Sequence, residues 1–450
     1  MGGVGNRHRT PPRCQVRREG ARVTVAPLPC AHITWLARTR PDPACTVTLR
    51  NALHARRLLL LKSLLTRLER QRSSIDPAVR ERFRRHWALL EHAERRDPAA
   101  VRDVVDYPLT GAWLAGALAL PEGPALDRRL AHFGGIATTA ALRAGCDLRL
   151  TLDAPTGLLG LPGLGTLHCP DRRAELHARG RTVRITGGRG RALLLRRGDA
   201  GPHRPVGAGP GWSPLRPLPG GTAVLDDLDP YRVPTGGIGA VTLPAADRAT
   251  VAHETWARLW QQAIALIAGT DPGRAAEILA VQRVVVPLAP ADPDAYDGRR
   301  PMSATLRAAP GSVLISLPAG HHELAEVLVH ETHHTKLAAL HERVPLYRPG
   351  DGGLHRVGWR PDPRPVAGVF QGAYAHLALT DLWRRAATGA DIPAGWRRRA
   401  AEQFGQHRGQ VAQALSVLLG SDELTIAGRE FAQGMRDHHA SLGTARQSFR

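Results

Sequence analysis

The chain predicts an α+β protein, mainly α, on three observations. Residues 52–144 repeat leucine and alanine at three- and four-residue spacing between proline-led helix starts. At Asp147 the period drops to two in DLRLTLD, and further short alternating runs separated by glycines come after it. Beyond residue 245 the helical period returns, and residues 324–340, LAEVLVHETHHTKLAAL, carry an HExxH motif with neither proline nor glycine in the run. The architecture expected is a helical N-terminal segment, a β-rich insert and a helical C-terminal domain built around the HExxH helix.

Composition narrows the function. With 450 residues and 43% hydrophobic residues, the chain can build two or three real cores. Aromatics are 4%, so leucine, valine and alanine must fill them, with helix-on-helix packing prominent. The formal net charge of +21 invites a nucleic-acid reading. Against it, nearly all the positive charge is arginine dispersed along the chain, with Lys62 and Lys336 the only lysines. No zinc-finger spacing, RNP-type aromatic pattern or dense basic helix accompanies it, so no nucleic-acid partner is expected. Five cysteines (Cys14, Cys30, Cys45, Cys146, Cys169) form no CxxC pair, which argues against a disulfide framework. No apolar run approaches the roughly 18 residues of a membrane span, and the amino terminus lacks a signal-peptide layout. The expected setting is the cytoplasm, with no membrane partner.

Taken in order, residues 1–48 are rich in Arg, Pro, Gly and Cys without periodicity and read as a disordered basic extension. Residues 49–146 form the helical domain. Leu58, Leu61, Leu64, Leu65 and Leu68 mark its first helix, Asp76-Pro77 and Asp97-Pro98 start two more, a short one carries Trp113, and 125–144 is a fifth. Residues 147–244 form the β-rich segment, ending in DDLDPYRVP. There Asp226, Asp227 and Asp229 precede Pro230, a pattern that marks a turn more readily than a metal site. Residues 245–445 form the metal-binding domain: helices over 246–267 and 273–281, strands over 283–288 and 311–317, then the HExxH helix.

On a helix, His330 and His334 lie one turn apart on one face, so both imidazoles can reach one ion. Glu331 sits one step round, within reach of a water or substrate on that ion, and is the candidate catalytic residue. A third ligand is needed, with positions left open. The metzincin spacing would put a histidine and a glycine where Leu340 and Leu337 stand; His341 is one place late. A glutamate from a later helix is the other common solution, yet residues 343–400 contain none. The chain runs instead into WRPDPRP and then VAGVFQGAYAHLALTDLWRR. The prolines suggest a rigid loop holding Arg360 and Arg364 towards one place, as needed to grip a carboxylate. Gly368, Gly372 and His376 then share one helix face, expected to pack against the HExxH helix and deliver His376 to the metal. Gln371 is a further candidate for the metal or cosubstrate. His333, His321 and His322 are expected to face solvent or to surround the ligands.

The segments HETHHTKLAALHERVPLY and WRPDPRPVAGVFQGAYAHLALTDLW resemble the HExxH-type, α-ketoglutarate-dependent peptide β-hydroxylases of bacterial peptide natural-product (RiPP) clusters. These include the partners of radical SAM maturases in FxSxx-COOH peptide systems. The resemblance runs from about residue 50 to 440 and takes in ALRAGCDLRLTLD, GWSPLRPL, LDDLDPYRVP and LTIAGREFAQGMR. It implies a non-haem Fe(II) site, α-ketoglutarate as cosubstrate, a ribosomally made precursor peptide as substrate, and a radical SAM maturase as partner. It carries His330 and His334 over as iron ligands, Arg364 as the grip on the cosubstrate carboxylate, and Glu331 as ligand or supporting group. Two rival readings stand beside it: a zinc peptidase that trims a precursor peptide with Glu331 as general base, and a non-catalytic partner that holds a leader peptide for a maturase.

Overall fold

The computed structural model describes residues 30–71, 75–187, 191–196, 206–239, 242–290, 301–348, 350 and 353–443. The protein is α+β and mainly α. Helices α1 (Cys30–Ala37), α2 (Pro43–Arg70), α3 (Pro77–Arg96), α4 (Pro98–Val105), α5 (Pro108–Ala119) and α6 (Pro124–Arg143) come first. All but α1 begin with proline, whose missing N–H costs nothing in a first turn. Asp42, Asp76 and Asp97 cap α2, α3 and α4 by accepting from backbone amides of the first turn.

The extension expected over 1–48 is corrected in its second half: residues 30–37 form α1 and residues 43–48 begin α2. Sparse leucine hides these turns in the sequence, but Leu36 and Cys45 are buried against the C-terminal core. Residues 1–29 lie outside the described residues. Helix α2 spans two cores. Its first half contributes Cys45 and Leu49 to the core around the HExxH helix, and its second half contributes Leu61, Leu64 and Leu68 to the helical bundle. Cys45, Cys146 and Cys169 are buried.

The β-rich region comprises β1 (Leu148–Asp153), β2 (Leu158–Leu161), β3 (Gly165–His168), β4 (Arg173–Arg179), β5 (Thr182–Gly187), β6 (Arg191–Arg196), β7 (Val206–Ala208) and β8 (Trp212–Pro214). One antiparallel sheet runs β1-β4-β5-β6-β7 and a smaller one β2-β3-β8. Their apolar faces meet over Leu152, Leu161, Leu167, Leu176, Val183 and Ile185.

Next come β9 (Arg216–Pro217), β10 (Val224–Leu225), α7 (His253–Thr270), α8 (Pro272–Val281), β11 (Val284–Pro287), β12 (Ser303–Ala304), β13 (Ser312–Ile315) and α9 (His321–His341). Strands β9 and β10 leave the insert and join a sheet of order β12-β13-β11-β10-β9, in which β10, β11 and β13 run parallel. The expected limit of the β-rich segment at 244 therefore does not mark where its strands stop serving their own sheet. The apolar run 284–286 is buried on both faces, as in the interior of a sheet covered on both sides, and its backbone pairs in parallel with β10 and β13. One face (Leu225, Val285, Val313, Ile315) packs under the HExxH helix, and the other (Val224, Val284, Val286, Leu314) against α5 and its approach. The turn after β10 is the structural one expected. Asp226 accepts from the Leu228 and Asp229 amides and from the Tyr107 hydroxyl, and Asp227 pairs with Arg216 and Arg248. Burial raises Asp226 and Asp229 to about 6.

The chain closes with β14 (His355–Val357), β15 (Arg360–Arg364), α10 (Val366–Thr388), α11 (Ala394–Leu419) and α12 (Ile426–Ser441). Helix α10 lies between α9 and α11. Among the described residues, no helix is long and apolar enough to cross a membrane.

Candidate metal centre

Between its ends, helix α9 is buried all round except along one stripe: Glu323, Glu326, Val327, His330, His334 and Ala338. These positions recur every three or four residues, so they line one face. That face forms one wall of a cleft of about 560 Å³, whose other walls are the β14–β15 hairpin, α10 and α11. A second hollow of about 430 Å³ adjoins it on the side of Thr305, His341 and Tyr347, and His330 and His334 border both.

The two imidazoles converge, with Nε2 of His330 2.9 Å from Nε2 of His334. Two ring nitrogens each about 2.1 Å from one ion, at right angles, would be about 3.0 Å apart, so the pair has the spacing of cis ligands. Gln371 on α10 sets the tautomer. Its Oε1 accepts from His334 Nδ1 at 3.1 Å, leaving the Nε2 lone pair for the cleft. His376, one and a half turns along α10, stands ring to ring with His330 at 5.1 Å. Among the described residues no three His, Cys, Asp or Glu side chains form a ready coordination set. The centre thus offers two convergent nitrogens, with His376 the nearest further imidazole. Neutral imidazoles with open positions suit a divalent ion such as Fe(II) or Zn(II).

Glu331 does not line the large cleft but borders the smaller hollow together with His330 and His334. It is buried, and its two oxygens accept from Ser303 Oγ at 2.7 Å and Thr305 Oγ1 at 2.6 Å. Edge strand β12 and the residue after it therefore hold the carboxylate in place.

Arg360 and Arg364 both line the cleft. They sit on a strand, not on the loop expected from the prolines. Pro361 and Pro363 alternate with Arg360, Asp362 and Arg364, and an edge strand tolerates such missing donors. Asp362 lies between the two guanidinia, 3.0 Å from Arg360 Nε and 2.8 Å from Arg364 Nη2, and these cations lower its pKa. The pair keeps one net positive charge facing the cleft.

The glycines of α10 are also placed differently from expectation. A Cβ on Gly372 would stand 2.8 Å from Trp359 of the hairpin, and one on Gly368 3.3 Å from Arg364. They make room for the hairpin, not for the HExxH helix. Trp359 then stacks on His376 at 4.5 Å, and His376 on His407 of α11 at 5.4 Å.

The neighbouring histidines need correction too. His333 is fully buried, not solvent-facing, because α8 and α10 cover that side and Arg274 supplies it a partner. His321 and His322 are half-buried, and His322 lies 5.3 Å from the Trp396 ring. Sequence reasoning missed Trp359, Ser303, Thr305 and the Glu326–Arg399 pair, which is bidentate at 2.9 and 3.1 Å. Only Trp359, the first residue of WRPDPRP, carried a signal.

No protein-family model matches the chain, and comparison with curated proteins finds no similar sequence.

Proposed function

We propose that the protein is a non-haem Fe(II)/α-ketoglutarate-dependent hydroxylase that installs a hydroxyl group on a side-chain β-carbon of a ribosomally synthesised precursor peptide. The observation that carries this reading is that one cleft holds both the imidazole pair His330/His334 and the guanidinium pair Arg360/Arg364. Its volume of about 560 Å³ leaves room for a small dicarboxylate and a substrate side chain together.

When bound, Fe(II) supplies oxygen activation coupled to decarboxylation of the cosubstrate, so that α-ketoglutarate, O₂ and a C–H bond give succinate, CO₂ and a C–OH. The chain's own residues do the rest. His330 and His334 hold the ion, with His376 the nearest further donor. Arg364, steadied by Asp362, receives the distal carboxylate, and Arg360 adds positive charge beside it. Gln371 keeps His334 in the tautomer that binds. Trp359 stacks on His376 and walls that side of the cleft.

The fixed state of Glu331 favours this reading over a zinc peptidase. A general base must be free to take a proton from a metal-bound water. Here each carboxylate oxygen already accepts a hydroxyl, and Glu331 borders the smaller hollow, not the cleft that holds the guanidinium pair.

The test is incubation of the purified protein with Fe(II), α-ketoglutarate, ascorbate and a precursor peptide encoded beside it, followed by mass spectrometry. A gain of one oxygen with succinate release is expected. Cleavage without α-ketoglutarate would establish the peptidase instead, and tight binding of an unchanged peptide the non-catalytic partner. Arg364→Ala is expected to raise the α-ketoglutarate concentration needed; an unchanged requirement would overturn the cosubstrate assignment.

A further inference from the structure

Behind the cleft, on the covered side of α9, lies a charged cluster that the proposed reaction does not use. Arg274 of α8 is fully buried. Its Nη1 donates to His333 Nε2 on α9 at 3.2 Å, and its Nη2 to Asp381 Oδ2 on α10 at 3.1 Å. Its Nε lies 3.6 Å from Asp271 Oδ2. Arg385 closes the ring, 3.3 Å from Asp381 Oδ1 and 3.8 Å from Asp271 Oδ2. His333 Nδ1 donates to the Val329 carbonyl at 2.8 Å, which leaves Nε2, also 3.5 Å from the Thr39 carbonyl, to accept from Arg274.

Burying a guanidinium and a carboxylate here is costly, and leucines could glue these helices together as well. The cluster adds direction. A guanidinium is a planar fork that satisfies its partners only at fixed angles. One arm holds the residue next to His334, and the other holds the residue five beyond His376 on the helix that also carries Gln371.

We propose that Arg274 is a positioning residue of the candidate metal centre: by bridging His333 and Asp381 it fixes the rotation of α9 against α10, so that Gln371 meets His334 and His376 lies against His330. Its consequence for the metal rests on reading the cleft as a metal site; its geometry does not.

The test compares the wild-type protein with Arg274→Lys and with the double variant Arg274→Met/Asp381→Leu. The double variant replaces the buried pair by apolar side chains, a change that commonly preserves stability. Arg274→Lys keeps the charge without the fork. Two quantities are read: Co(II) affinity from its visible absorption, and the imidazole ¹⁵N resonances of the metal-free, histidine-labelled protein. The double variant is expected to melt close to wild type and to bind Co(II) about tenfold or more weakly. Its His330 and His334 resonances should shift along with that of His333, and Arg274→Lys should lie in between. If affinity and the His330 and His334 resonances match wild type, the cluster is only packing and the proposal fails. If wild type binds no Co(II), the metal reading of the cleft fails, and the metal-free resonances alone decide the role of Arg274. Should the double variant not fold, Arg274→Lys gives the same two readings.

Discussion

His333 and His334 are consecutive residues on one helix in opposite circumstances. His334 borders two hollows, and its polar neighbours are His330 and Gln371. His333 is sealed in, with Arg274 on one ring nitrogen and a backbone carbonyl on the other. One turn further, Lys336 is equally buried and pairs with Glu277 at 2.7 Å. Both faces of α9 are rich in polar groups. They differ in whether those groups point at charged partners or at an opening. The covered face resists movement, and the open face has something left to bind with.

The largest effect should come from the open face. His334→Ala removes one of the two convergent nitrogens and is expected to abolish peptide oxidation, with the melting temperature little changed; mass spectrometry and a thermal melt check both. On the covered face the order should invert. Lys336→Met leaves Glu277 buried without its cation and should cost about 3–5 kcal/mol in chemical denaturation. Adding Glu277→Leu should recover most of it. If Lys336→Met unfolds no more easily than wild type, the contrast between the faces is wrong.

Gly372→Ala probes the wall between them. The helix gains about 1 kcal/mol of propensity, but the new Cβ would meet Trp359 at 2.8 Å. The indole should leave His376, lowering turnover on the order of tenfold through loss of pocket geometry. Trp fluorescence and turnover should change together; a change in neither would show that the stack is incidental.

The smallest effect concerns pH. Burial holds His438 at about 4 and His132 at about 3, and pushes His333 well below its usual value. The unfolded chain takes up these protons below about 6.5 while the native state does not, so each histidine destabilises the fold as pH falls from there. Asp226 and Asp229, raised to about 6, work the other way, since the native state binds their protons first. With His86 also held at about 4, these histidines outnumber the two carboxylates, so stability should fall as pH drops from 6 towards 4. Melts at pH 7, 6 and 5 read the slope, and Asp226→Asn should steepen it.

Much of this is legible in the sequence because it is local. Pro77 and Pro98 open helices, and Leu58 to Leu68 and the 147–153 alternation name their periods, as the observed elements show. The short sheet strands are harder. Two-residue β9 and β10 carry no period, and only their pairing alongside β11 places them. The prolines of WRPDPRP suggest a loop wrongly, because proline signals a missing donor, and both a loop and an edge strand can spare one. The glycines of α10 do signal room for something close, but nothing in the sequence says that the occupant is Trp359.

By itself, then, the sequence determined the class of fold and the facing of His330 and His334, because the geometry of one helix turn decides both. Tertiary structure decided everything that joins distant residues. Arg274 meets partners 59 and 107 positions away, and Ser303 meets Glu331 across 28. A carboxylate or guanidinium looks the same in sequence whether it ends in solvent, in a cleft or in an interior ring. Only packing, by setting which of them lose their water, separates those fates.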